Sequence, residues 1–178
     1  MDFHSSPLTL TQGTTPELVL KQVNQSLMQR VIELATSYPY PHSVLGGPRA
    51  GNYIEKLAER VQYPGEGWYA VRNLEEVLAA AHLCVYGVGG GDSHTLWKIR
   101  HPLVADEHPP ECLTFFFHGL IDIAMKLRPG TAKFVIFLSE YEQEAMSQAR
   151  KAGFEHEASF KDYYRLGETC FVYSRTVV

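Results

Sequence analysis

Cysteine, long apolar runs and charge of a single sign are all scarce in this chain. Its three cysteines, Cys84, Cys112 and Cys170, are odd in number and far apart in 178 residues. They form none of the close-spaced pairs used by structural zinc sites and disulfide scaffolds, so free thiols and a cytoplasmic setting are expected. No window approaches the roughly 18 apolar residues that a membrane-spanning helix needs. The first residues, Met1-Asp2-Phe3-His4-Ser5-Ser6-Pro7, hold neither a basic nor an apolar segment, so neither secretion nor membrane insertion is expected. With 16 basic and 20 acidic side chains the net charge is -4 and no run of either sign is long, which argues against a nucleic-acid partner. What remains is globular: 45% hydrophobic and 20% charged residues exclude a disordered or coiled-coil chain. A chain of this length can bury about two thirds of its unfolded surface, and residues 1–178 are expected to form one domain.

After Pro7 the alternation Leu8-Thr9-Leu10-Thr11 predicts a short strand. Gly13-Thr14-Thr15-Pro16-Glu17 predicts a helix start, with a hydroxyl cap and proline at the first helical position. Leu18, Val23, Leu27, Val31 and Leu34 follow at helical spacing, up to Tyr38-Pro39-Tyr40-Pro41, where proline's missing amide ends the turn. A second helix is expected over Asn52 to Val61, stopped by Pro64-Gly65-Glu66-Gly67. Then the period shortens to two. Trp68 to Val71, Val77 to Gly87 and Thr95 to Ile99 read as an antiparallel meander, joined through Asn73 and through Gly89-Gly90-Gly91-Asp92. Ala79-Ala80-Ala81 also suits a helix, which leaves the start of the middle strand open. A helix is expected over Leu113 to Leu127, a buried strand over Phe134 to Leu138, and an amphipathic helix over Tyr141 to Lys151 with Gly153 as its C-cap. Ala158 to Tyr164 and Cys170 to Val177 read as a hairpin. The expected class is α/β (α+β), a mixed, mostly antiparallel central sheet of six to seven strands with helices on both faces.

The last third of the chain carries a resemblance. Phe134-Val135-Ile136-Phe137-Leu138 is followed by the helix end Arg150-Lys151-Ala152-Gly153-Phe154, by Asp162-Tyr163-Tyr164-Arg165-Leu166-Gly167-Glu168, and by Val172-Tyr173-Ser174-Arg175. In this order they resemble the closing strand, helix and hairpin of the GNAT superfamily of acyl-CoA-dependent N-acyltransferases. The Gly-Phe step and the double tyrosine before a Gly-Glu turn are similar to enzymes that acetylate protein N-termini and to other small amine acetyltransferases. Trp68 to Leu103 fits the family's meander in pattern, and the first 60 residues fit in element order.

The resemblance implies a GNAT-like fold and transfer of an acyl or acetyl group from acyl-CoA to an amine on a small molecule or peptide. Acetyl-CoA or another acyl thioester would be the co-substrate, no metal is implied, and a homodimer is a compatible assembly. In the family, two adjacent strands splay apart and their unpaired backbone groups hold pantetheine as if it were an added strand. Here those strands would be Thr95 to Val104 and Phe134 to Leu138, so Ile99, Arg100 and Leu103 would contact the donor and a backbone amide on that stretch would steady the oxyanion. The amides of Cys112, Leu113 and Thr114, opening the next helix, would receive the pyrophosphate. His101, at the strand end, is the implied base, and Glu142 stands where the family often has an asparagine beside the cofactor.

Two departures accompany the resemblance. The place of the family's Arg/Gln-x-x-Gly-x-Gly/Ala loop holds Leu103-Val104-Ala105-Asp106-Glu107-His108-Pro109-Pro110-Glu111-Cys112. Its two prolines donate no amide, and Asp106, Glu107 and Glu111 would repel a pyrophosphate. Ala149 occupies the position of a tyrosine that protonates the leaving thiolate, which would leave Tyr141, Tyr163 or Tyr164 to supply the acid. The alternative function is therefore a catalytically inactive, GNAT-like regulatory or partner-binding module.

The other constellations have plainer readings. Gly87-Val88-Gly89-Gly90-Gly91-Asp92-Ser93 lacks the Lys-Ser/Thr of a phosphate cradle and precedes a strand, so it reads as a hairpin loop. Asp106, Glu107, His108, Glu111 and Cys112 mix hard and soft metal ligands on a proline-bearing loop and read as surface rather than as a metal site. Phe115-Phe116-Phe117 at helical spacing with Leu120, Ile121, Ala124 and Leu127 reads as core rather than as an acyl tunnel. His118 reads as a boundary histidine, and Cys112 as a free thiol without a visible base.

Overall fold

The computed structural model describes residues 9–10, 17–38, 50–74, 76–89 and 94–178. The elements are β1 (Thr9–Leu10), β2 (Leu18–Gln22), α1 (Gln25–Ser37), α2 (Ala50–Glu59), β3 (Gly67–Asn73), β4 (Glu76–Gly89), β5 (His94–Val104), α3 (Cys112–Leu127), β6 (Thr131–Ser139), α4 (Gln143–Lys151), β7 (Glu155–Lys161) and β8 (Thr169–Val177). They build one sheet in the order β1-β2-β3-β4-β5-β6-β8-β7. All neighbours are antiparallel except β5 and β6, which α3 connects as a crossover. The mixed, mostly antiparallel sheet expected from the sequence is present, with the short strand expected at Leu8 to Thr11 at its edge as β1, and β2 is the addition.

Three boundaries depart from the expectation: the hairpin strand expected over Ala158 to Tyr164 is Glu155–Lys161, the helix expected from Tyr141 starts at Gln143, and the first helix starts late. Leu18 to Gln22 is a strand, and the first helix begins only after Asn24. Leu18 and Leu20 fit helical and alternating patterns equally well, and pairing with β3 (Leu20 opposite Val71) decides for the strand by burying both. Asn24 then caps α1, its Oδ1 accepting from the Leu27 amide at 3.1 Å. The expected Thr15-Pro16 cap lies outside the described residues, as do most of Tyr38-Pro39-Tyr40-Pro41 and the centre of the Gly-rich loop. That loop nevertheless joins a hairpin, since Gly89 pairs with His94. The alanine run Ala79 to Ala81 is strand and fully buried, paired throughout with β3 and, at Ala79 and Ala80, with β5.

Two apolar clusters cover the two faces. α3 and α4 pack on Leu20, Val71, Leu83, Trp97, Ile99, Phe134, Ile136 and Leu138, with Phe116 and Phe117 fully buried among them. The phenylalanines of α3 are thus core, as read. α1 and α2 pack on Trp68, Ala70, Ala80 and Leu103, and this second cluster contains no residue of β6, β7 or β8. Trp68 fastens α2 by donating its indole N–H to the Ile54 carbonyl at 3.1 Å. The α2–β3 turn is held by Glu66, a buried carboxylate that accepts from the amides of Gln62 (2.6 Å), Tyr63 (2.9 Å) and Val85 (2.7 Å). α4 ends as predicted: Gly153 takes φ +81°, and the Phe154 amide donates back to the Ala149 carbonyl at 3.0 Å.

Beneath α2 lies His82, buried against the Trp68 ring, with neither ring nitrogen in hydrogen-bonding geometry with a partner. Burial pushes its pKa down to about 4, Arg100 adds to this, and the Leu57 backbone and Glu66 offset it only in part. The folded pKa is below the unfolded 6.5, so the unfolded state takes the proton first and stability falls as pH drops from 6.5 towards 4. The expected loss is about 2 kcal/mol by pH 5, and it is absent in His82→Met. Denaturant unfolding of both proteins at pH 7 and pH 5 checks this; an equal loss in both would refute it.

Candidate active site

β5 changes character midway. Trp97 and Ile99 alternate into the α3–α4 core, while Lys98 and Arg100 point to the opposite face. From His94–Thr131 to Ile99–Ile136 the strand pairs with β6, and there the pairing stops. β5 continues alone against β4 (Leu103 opposite Ala80, Val104 opposite Ala79), and β6 continues alone against β8 (Ser139 opposite Cys170). Between residues 100–104 and 137–139 the sheet is therefore split, and the facing backbone edges have no strand partner.

The split starts at a distortion. The β4–β5 register shifts between Ala80 and His82, and opposite that shift His101 adopts φ +52° immediately before Pro102. A non-glycine residue in this region costs about 1–3 kcal/mol, and the step before proline is itself restricted. The bend directs His101 towards α2, with its Nε2 3.2 Å from the Tyr53 hydroxyl and the two rings edge to face. Pro102 has no amide, so the backbone donors left on this stretch are the remaining amides between Ile99 and Leu103.

A cleft of about 390 Å³ opens at the mouth of the split, between Val104–Asp106, His108, the start of α4 (Tyr141–Ala145) and Tyr38. The Glu142 carboxylate is buried on its floor, accepting from the Tyr38 hydroxyl at 2.9 Å and the Ser139 amide at 2.7 Å, and so ties α1 to the β6–α4 turn. Tyr141 lines the same cleft and is largely exposed. On the other side, Tyr164 of the β7–β8 loop is half-buried and stacks edge to face on Tyr163. Burial, and then Cys170, Tyr163, Glu142 and Tyr53, raise its pKa, so it keeps its proton.

The loop before α3 is fastened internally. His108 bridges the Ala105 carbonyl (2.7 Å) and Glu144 (2.8 Å). Gln148 of α4 donates to the Pro110 carbonyl and accepts from the Thr114 hydroxyl. The Cys112 amide donates to Pro109 at 2.9 Å, which leaves Leu113 and Thr114 as the first-turn amides of α3 without a helical partner. Cys112 and Leu113 are buried side chains, and burial pushes the Cys112 thiol up to about 12, which makes a thiolate nucleophile unfavourable there.

No family profile and no curated protein matches the chain in sequence. Solved structures do match in shape. A spermidine N-acetyltransferase from Vibrio cholerae in complex with CoA and spermine is 12% identical, over 89% of this chain and 95% of that one, at a TM-score of 0.63. An aminoglycoside N(6')acetyltransferase from Legionella pneumophila is 16% identical, over 89% and 91%, at 0.64. A ribosomal-protein-alanine N-acetyltransferase from Escherichia coli is 9% identical, over 90% and 94%, at 0.65. The chain has the GNAT N-acetyltransferase fold. In that fold the β5–β6 split is the region that the sequence resemblance assigned to the acyl donor, and it brings Arg100 and Leu103 to one rim and Tyr141 and Glu142 to the other. Ile99, the last paired residue, is fully buried towards α3 and α4, and Leu103 is fully buried under α1 and α2, so only their backbone faces the split. Ala149 is fully buried in the α3–α4 core.

Sequence reasoning passed over four residues that shape the split and its surroundings: Tyr38, Tyr53, Lys98 and Gln148. Tyr53 and Tyr38 sit among ordinary core positions of α1 and α2, and Gln148 acts across 34 residues. Only Lys98 left a signal, a cation placed mid-strand between two buried residues.

Proposed function

We propose that this chain is an N-acyltransferase that moves an acyl group from a CoA thioester to the amine of a small molecule or peptide. The split between β5 and β6 is the observation that supports it, because two bare strand edges are what an extended pantetheine arm pairs with. The donor would supply the activated acyl group; the chain's residues supply alignment and proton transfer. The edge at residues 100–104 aligns the thioester and offers its amides to the carbonyl oxygen. His101 takes the amine proton, directly or through water, and Tyr164, which retains its phenol proton, returns one to the sulfur, with Tyr141 at the rim as the second candidate. Glu142 acts as a positioning residue, since its carboxylate holds Tyr38 and the turn before α4. Residues 1–178 would act as one domain in the cytoplasm.

Only two amides, Leu113 and Thr114, remain for a pyrophosphate, and the Thr114 hydroxyl already donates to Gln148. Nucleotide contacts are therefore expected to add little. Acetyl-CoA at millimolar concentration should raise the melting temperature by mass action, and acetyl-pantetheine should keep most of that shift. No shift with either would overturn acyl transfer and favour a partner-binding module, a reading that the exposed carboxylates of Asp106 and Glu144 at the cleft support.

A further inference from the structure

Among the described residues no helix covers the sheet face opposite α3 and α4 beyond β5, and two cations lie on it. Lys98 stands opposite Cys84 on β4 and opposite Val135 on β6, and Arg100 stands opposite His82. Both are half-buried, as are Val135 and Phe137 of β6 on the same face. The Lys98 ammonium sits 3.8 Å from the centre of the Phe137 ring and 5.6 Å from that of Tyr86. Neither cation has a carboxylate within ion-pair distance among the described residues. The buried carboxylates nearby are committed elsewhere, Glu66 to three backbone amides and Glu142 to Tyr38 and Ser139. Burial lowers the Lys98 pKa, and Arg100 lowers it further. Two like charges are thus held two residues apart in a partly desolvated trough without a counter-ion, where an anion gains more than it would at an open surface.

The position of the pair points to its use. Arg100 is the first residue of β5 past the last rung shared with β6, and Lys98 is one pair deeper. An amine poised at the split beside His101 therefore has Arg100 and Lys98 beneath it, within roughly 7 Å, the span of two strand residues. We propose that Lys98 and Arg100 bind a carboxylate on the acceptor, so that the amine acylated by this chain belongs to an amino acid or a comparable small amino carboxylate. This inference rests on the acyl-transfer reading. A purely cationic polyamine would meet repulsion in the same trough, and Arg100 can hold a carboxylate through two parallel N–H donors.

The test measures thiol release from acetyl-CoA with the standard L-amino acids, with their amino-acid amides and with spermidine. At least one amino acid should exceed its own amide in kcat/KM by about tenfold or more, mostly through KM, as expected for a lost charge-assisted hydrogen bond. Arg100→Gln and Lys98→Gln should erase that preference, and Arg100→Lys should keep part of it. Lys98→Gln, whose residue lies outside the donor edge, should retain the wild-type thermal shift with acetyl-CoA. Spermidine or the amides serving as well as the acids, or a preference surviving in both glutamine variants, would overturn the carboxylate site while leaving acyl transfer standing. A loss of the acetyl-CoA shift in Lys98→Gln would reassign the cations to the donor and also overturn it. If acetyl-CoA neither shifts the wild-type protein nor releases thiol with any amine, the transfer reading fails and the acceptor site fails with it.

Discussion

Glu66→Ala is expected to destabilise the protein by about 3–5 kcal/mol, because it removes a buried carboxylate that accepts from three backbone amides. In a domain of this size that corresponds to a melting temperature roughly 10 °C lower. The loss is not confined to the turn. Val85 adjoins the irregular register between β4 and β5, so its amide has no regular ladder bond to fall back on. Glu66→Gln keeps one acceptor oxygen but turns an NH₂ towards an amide donor, and should fall between alanine and wild type. Thermal and urea unfolding of the three proteins measure the series. A change of only a degree or two in Glu66→Ala would mean that the amides find other partners and that Glu66 is not what holds the α2–β3 turn.

His101→Ala is expected to lower the rate of acyl transfer by about 10²- to 10⁴-fold, the usual range for a general base. Its companion variant separates chemistry from architecture. Glycine accepts φ +52° without penalty, so His101→Gly should match or exceed wild type in melting temperature while losing activity to the same extent. Addition of imidazole should restore part of the rate in His101→Gly, since the vacated space lies beside Tyr53. Activity within threefold of wild type in His101→Gly would remove His101 from the mechanism. A large fall in melting temperature would show instead that its ring is needed for packing.

Much of the sheet was legible because the strands on one face alternate cleanly. Thr95 to Ile99 buries every second residue and was placed by its period, and Phe134 to Leu138 was placed as a continuous apolar run. Leu18 to Gln22 was not legible, since five residues carry too little period to separate strand from helix and its pairing partner lies about 50 residues away. The candidate site was legible in a different measure. The place where β5 and β6 part is set by relative strand direction, which follows from the resemblance rather than from local pattern. Its contents were partly hidden. Glu142 read equally well as a helix-start carboxylate or a site residue, and only the approach of Tyr38 from α1 shows that both of its oxygens are engaged. The Thr114 hydroxyl suited an anion in sequence, and nothing local signalled that Gln148 would claim it.

The position of β8 between β6 and β7 also bears on how the molecule comes into being. During synthesis β6 and β7 both emerge before residues 169–177, and neither can then pair as it does in the finished sheet. Until then the nascent chain carries a bare edge on β6 and an unpartnered β7, the kind of exposed strand that invites association with other chains. The strand that joins them is the last of the sheet to arrive, so β6 gains its outer partner, and Tyr164 its place in the β7–β8 loop, only when the hairpin locks in.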